Sequence, residues 1–187
     1  MNPSSRVVYL TFDDGPIPQC TPQVLDILLQ YDVKATFFMV AENAERYPEL
    51  LARVRAEGHT IGNHTYHHMR GCQSCTDNYI ADVKHAAEVL QTKLFRPPHG
   101  RMRLAQNRAL LQAGYGIYLW DVLTHDYNPY KKKKKMLSVV KRYTRNGSII
   151  VLHDSLKSRD RMLHLLPLII NWLQANGYEI KPLITSC

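Results

Sequence analysis

Two adjacent carboxylates, Asp13 and Asp14, follow the apolar run Val7-Val8-Tyr9-Leu10 and precede a Gly15-Pro16 turn. Two like charges side by side at the end of a buried strand are costly unless a cation or a proton-transfer role accounts for them. Strand ends are also where α/β folds carry their chemistry. The pair therefore asks for a metal, with its other ligands elsewhere in the chain.

His64 and His68 are the first candidates. On a helical turn, a spacing of four brings both imidazoles to one face, as zinc-binding pairs require. His67 competes with His68, because a spacing of three also converges. Two histidines and one aspartate leave a coordination position open, the pattern of a catalytic rather than a structural zinc site. Further polar clusters, Arg96 to Gly100, Asp121 to Asp126 and His153-Asp154, each follow a β-rich segment. If those strands are parallel, the clusters project together from one C-terminal rim.

The elements that must position these groups alternate. Strands are expected over Val7–Phe12, Thr36–Val40, Thr60–Gly62, Leu94-Phe95, Ile117–Trp120, Ser148–Leu152 and Glu179–Leu183. Between them lie helical patterns. One opens with Thr21 as N-cap and Pro22 at the first position; Pro48–Glu57 is closed by Gly58. Others cover Asp77 to about Thr92, Leu104–Ala113, Lys132–Tyr143 and Arg161–Gln174. Strands separated by helices of this length imply βαβ units and parallel pairing. About seven units fit in 187 residues, too few for a full eight-unit barrel of about 250. A distorted, incomplete (β/α)7 barrel, TIM-barrel-like, is expected, with a doubly wound open sheet as the alternative.

The 187 residues read as one domain with its core over about 7–183. No apolar run approaches the roughly 20 residues that span a bilayer. No apolar region of a signal peptide precedes the first strand, so the chain as written reads as cytoplasmic, with the cell envelope open to a longer precursor. The net charge is +8, and Lys131 to Lys135 supply five positive charges in one run. That run reads as a solvated loop and first helical turn; its alternative is peripheral contact with an anionic surface. No aromatic-basic interleaving points to nucleic acid. Cys72-Gln73-Ser74-Cys75 has CxxC spacing but lacks the second ligand pair of a structural zinc site. It reads as two incidental thiols, with a disulfide or a secondary metal site as alternatives.

The segments 11–16 (Thr-Phe-Asp-Asp-Gly-Pro), 62–68 (Gly-Asn-His-Thr-Tyr-His-His), 95–100 (Phe-Arg-Pro-Pro-His-Gly), 120–127 (Trp-Asp-Val-Leu-Thr-His-Asp-Tyr) and 150–154 (Ile-Val-Leu-His-Asp) together resemble the five ordered motifs of polysaccharide deacetylases. This is the NodB-homology domain, or carbohydrate esterase family 4. The resemblance implies a distorted barrel and a metal-dependent hydrolase that removes acetyl groups from N-acetylhexosamine glycans, peptidoglycan or chitin-like oligosaccharides. It implies Asp14, His64 and His68 as ligands of one divalent metal, zinc foremost, with cobalt, nickel or manganese as alternatives. Asp13 would be the general base that deprotonates the attacking water, oriented by Arg96, and His153 the general acid toward the leaving amine. The backbone N–H of His99 would stabilise the oxyanion, and Trp120 and Leu152 would line a pocket for the acetyl methyl.

The chain departs from the family pattern at three positions. His99 stands where Tyr is usual, Tyr127 where Trp is usual, and Leu123 where an Asp normally sets the acidic histidine. Asp121 and Asp126 are the two acids left to take that last role, and Asp126 matches a second acidic position of the motif. Other readings are O-deacetylation of sugar esters, hydrolysis of small amides, and a non-catalytic metal- or glycan-binding module.

Overall fold

Along the first strand Val8, Leu10 and Phe12 alternate with Tyr9, Thr11 and Asp13, and both sets are covered. A strand with two covered faces belongs inside a parallel sheet with helices packed outside. The computed structural model describes residues 6–184. Its elements run β1 (Arg6–Asp13), α1 (Thr21–Gln30), β2 (Thr36–Met39), α2 (Ala41–Arg46), α3 (Pro48–Ala56), β3 (Thr60–Asn63), α4 (Thr76–Leu90), β4 (Leu94–Phe95) and α5 (Leu104–Gln112). They continue with β5 (Gly116–Ile117), β6 (Val122–Leu123), α6 (Lys133–Tyr143), β7 (Ile149–His153), α7 (Arg159–Ala175) and β8 (Tyr178–Ile180).

The sheet order is β5-β4-β3-β2-β1-β7-β6, every pairing is parallel, and β8 pairs with the first residues of β1. β5 and β6 are the two ends of this order. The result is the curled, incomplete barrel expected from the strand count. Two apolar layers follow from the side-chain alternation of strands. Leu10, Phe12, Phe37, Ile150 and Leu152 face the helices with Val24, Leu28, Leu165 and Ile169. Phe38, Leu94 and Leu183 fill the inside, against Tyr9, Tyr118 and Ile149. Because the strands are parallel, their C-terminal ends share one rim, and Asp13 stands in register with His153 and Phe38.

Two local differences from expectation bear on the site, and the lysine run agrees with it. The strand expected over Ile117–Trp120 is only Gly116–Ile117, with β6 forming separately at Val122–Leu123. The carbonyls of Tyr118 and Leu119 accept from Arg96 instead of joining a ladder. Thr21 is the first residue of α1, not its cap, because its hydroxyl accepts from the Ile17 N–H and donates to Asp154. Lastly, Lys132 to Lys135 are exposed ahead of and within the first turn of α6, as a solvated run should be. No helix of the described residues is long and apolar enough to cross a membrane.

Candidate active site

Arg96 enters the barrel from the end of β4 and is fully buried. Its Nη1 donates to Asp13 Oδ1 at 2.7 Å and to Thr11 Oγ1 at 2.8 Å. Nε and Nη2 donate to the carbonyls of Tyr118 and Leu119. The guanidinium lies 4.0 Å from the centre of the Phe38 ring. A buried charge is tolerable only when paired and hydrogen-bonded, and here each nitrogen has a partner. The Asp13 carboxylate is thereby fixed at the floor of the rim.

Asp14, His64 and His68 each offer a ligand atom, all within 4.8 Å of one another. Asp14 Oδ1 lies 3.8 Å from His64 Nε2 and 3.3 Å from His68 Nε2. The two histidines do not sit on a helical turn. They flank a loop with left-handed backbone at Thr65 (φ 67) and His68 (φ 53), held by Asn63 Oδ1 on the Thr65 N–H and by Thr65 Oγ1 on the Met69 N–H. His67, the competing histidine, turns away to Asp82 of α4. The donor set fits a divalent cation. His64 Nδ1 donates to the Arg96 carbonyl at 2.8 Å, which leaves the Nε2 lone pair toward Asp14. Burial lowers the His64 pKa to about 4, so the ring is neutral, as a ligand must be. Burial alone would raise the Asp14 pKa, but the hydrogen bond from His68 and the charge of His153 outweigh it and hold this carboxyl below its ordinary range.

The opposite wall carries a histidine held by an aspartate. His153 ends β7, and both its backbone N–H and its Nδ1 bond Asp126, each at 2.8 Å. Burial alone would push the His153 pKa down. The hydrogen bond and charge of the fully buried Asp126, with Asp13 and Asp14 behind them, push it up to about 9. Asp121 lies at the other end of β7, on Arg145 and the Ile149 N–H. The partner of His153 is therefore Asp126, supplied by the loop after β6. Leu123 pairs with Val151, two residues short of the histidine.

The profile of the family described as Polysaccharide deacetylase matches residues 1–118. The chain belongs to the polysaccharide deacetylase family. A peptidoglycan-N-acetylglucosamine deacetylase of Bacillus cereus is 36% identical over 183 residues, covering 94% of this chain and 85% of that protein. A chitooligosaccharide deacetylase of Bradyrhizobium is 34% identical over 198 residues, covering 96% and 90%. Among solved structures, a peptidoglycan N-acetylglucosamine deacetylase in complex with 4-naphthalen-1-yl-N-oxidanyl-benzamide superposes with a TM-score of 0.91 at 33% identity, covering 96% of this chain and 87% of that one.

In this polysaccharide deacetylase the rim groups line one cavity of about 320 Å³, with Trp120, Leu123 and Tyr127 as its apolar wall. Leu152, expected at that wall, is instead fully buried on the helix-facing side with Phe12, because neighbours on a strand face opposite ways. Leu123 stands on the cavity wall in its place. Tyr127 meets the His153 ring edge-on at 5.0 Å. His99 also lines the cavity, packed against the His68 ring, yet its Nε2 accepts from Arg70 and is not among the clustered ligand atoms. Cys72 and Cys75 are free and exposed, and neither is among the clustered ligand atoms. Ser155 and Lys157 line the cavity too, and sequence reasoning passed over them. The only signal was their position just after the His153-Asp154 pair.

Asp154 was likewise given no role. It is buried, and burial lifts its pKa to about 8. Its carboxyl accepts from the Gly15 N–H at 3.0 Å and from Thr21 Oγ1 at 2.7 Å. This ties the turn that carries Asp13 and Asp14 to β7. A Cβ on Gly15 would lie 2.0 Å from Asp154 Oδ2. Gly15→Ala is therefore expected to destabilise the fold by about 1–3 kcal/mol, as overpacking does. It should also weaken metal retention. Urea unfolding and metal content after dialysis check this; an unchanged midpoint with full metal content would refute it.

Proposed function

We propose that this chain removes N-acetyl groups from N-acetylhexosamine glycans by metal-assisted hydrolysis. The observation that carries the reading is the convergence, in one cavity, of three metal-type ligands, an Arg-held carboxylate and an Asp-held histidine. Asp14, His64 and His68 would hold a divalent cation, zinc foremost. When bound, such a cation supplies Lewis-acid polarisation of the acyl oxygen and makes water more acidic. Asp13 takes the proton from the attacking water, its carboxylate held in position by Arg96. His153 carries its proton against Asp126 at neutral pH and delivers it to the departing amine, a poor leaving group until protonated. Trp120, Leu123 and Tyr127 exclude water around the acetyl methyl.

Acetate release from N-acetylated chito-oligosaccharides and peptidoglycan fragments, with acetylated xylan as an O-acetyl arm, tests this reading. Release from the N-acetyl substrates that is lost on chelation and restored by metal is expected. Turnover confined to the xylan would replace it with O-deacetylation, and turnover of none would refute it.

The acid assignment carries its own pH signature. The protonated form of His153 is the active one, so activity falls as pH rises through its pKa. Asp126→Asn removes the charge that raises that pKa, and the basic limb of the kcat/KM profile is expected to move down by about 1–3 pH units. Profiles of both proteins at equal metal loading check it; a basic limb that stays in place would assign the limb to another group.

A further inference from the structure

Beside the catalytic cavity lies a second one of about 270 Å³, with Arg70, Cys72, Gln73 and Arg101 among its walls. The two meet at His99, which lines both. No carboxylate lines the second cavity, and among the described residues neither Arg70 nor Arg101 makes an ion pair.

Arg70 is nevertheless held in place. Its Nε donates to His99 Nε2 at 3.1 Å. Arginine can only donate, so that bond occupies Nε and leaves the two Nη groups as an open fork, the geometry that takes a carboxylate bidentately. His99 is set in turn by its backbone, at φ 59 and ψ 11. The next residue, Gly100 (φ +66), packs so closely under Trp120 that a Cβ there would lie 2.5 Å from the indole. Arg103 Nη2 donates to the Cys72 carbonyl at 3.3 Å and steadies the far wall. Arg70 is solvent-exposed, held by a histidine and, among the described residues, free of an ion pair beside the candidate cavity, and a neutral glycan would leave its charge uncompensated. Of the two substrate types named for the relatives above, chito-oligosaccharides are neutral, whereas a peptidoglycan strand freed of its stem peptides carries a lactyl carboxylate on alternate sugars; with the peptide in place that carboxyl is an uncharged amide.

We propose that this second cavity is a subsite for a carboxylate on the sugar next to the one deacetylated, with Arg70 as its receptor and His99 as the residue that positions Arg70. The inference rests on the deacetylase reading and gives its substrate class as a muramic-type strand freed of its stem peptides, with its lactyl carboxylates exposed.

Calorimetry would compare a peptide-free muramyl tetrasaccharide, chemically N-deacetylated so that it is not turned over, with its carboxyl methyl ester. The acid is expected to bind metal-loaded wild-type protein about tenfold more tightly than the ester, as a charge-assisted hydrogen bond would give. Arg70→Gln should collapse that ratio toward one, and Arg70→Lys should keep part of it. Equal binding of acid and ester by the wild type, or an undiminished ratio in Arg70→Gln, would overturn the proposal. Acetate release from neutral chitotetraose is assayed in parallel. Turnover with a ratio of one sinks the subsite alone. No turnover of any acetylated glycan with the ratio intact sinks the deacetylase reading and leaves the subsite standing.

Discussion

Asp13→Asn is expected to lower acetate release by about 10²–10⁴-fold, the usual contribution of a positioned general base. Asparagine keeps the shape of the side chain and removes its ability to take a proton. The proposed ligands Asp14, His64 and His68 are untouched, so metal content after dialysis should stay near that of the wild type. That pairing of lost rate with retained metal separates a base from a ligand. His64→Ala should show the opposite pairing, with metal and rate lost together. Initial rates and metal analysis on the same preparations check both, with circular dichroism confirming the fold. Retention of rate within threefold in Asp13→Asn would place the base elsewhere.

The second large effect is structural. Arg96 is buried at the centre of the barrel, and its side chain makes four hydrogen bonds: to Asp13, to Thr11 and to the carbonyls of Tyr118 and Leu119. Arg96→Met keeps the length and leaves Asp13 as an uncompensated buried charge. Removing one partner of a buried pair costs about 3–5 kcal/mol. In a chain of this size each kcal/mol moves the melting temperature by about 2–4 °C, so a fall of roughly 6–20 °C is expected. The rate should fall with it, because Asp13 loses its orientation. Arg96→Lys cannot restore the fork and should recover only part of the stability. Thermal melts and urea midpoints of the two variants check this; a loss below about 1 kcal/mol in Arg96→Met would show that the pair is not what holds the barrel floor.

Much of the fold was legible because its signals are local. Apolar runs bounded by turn residues marked β1, β2 and β7, and glycines after the helical patterns marked where α3 and α7 stop. Their alternation implied parallel pairing, and parallel pairing alone places every polar cluster on one rim. What escaped was short or set by distant partners. α2, Ala41–Arg46, is a six-residue helix with too few turns to show a period. β5 ends at Ile117 because the next two carbonyls are taken by Arg96, some twenty residues back in the chain.

By itself the sequence determined the chemistry on offer: two carboxylates at a strand end, histidines four apart, an arginine and a late histidine, each following an apolar strand. Only the tertiary structure decided between alternatives that spacing leaves equal. His68 rather than His67 faces Asp14, because left-handed backbone at Thr65 and His68 turns the loop and Asp82 draws His67 away. Asp126 rather than Asp121 holds His153, because the register of β6 on β7 puts Asp121 at the wrong end of the strand. In each case the deciding quantity is a direction in space, which residue type and spacing do not encode until the strands are paired.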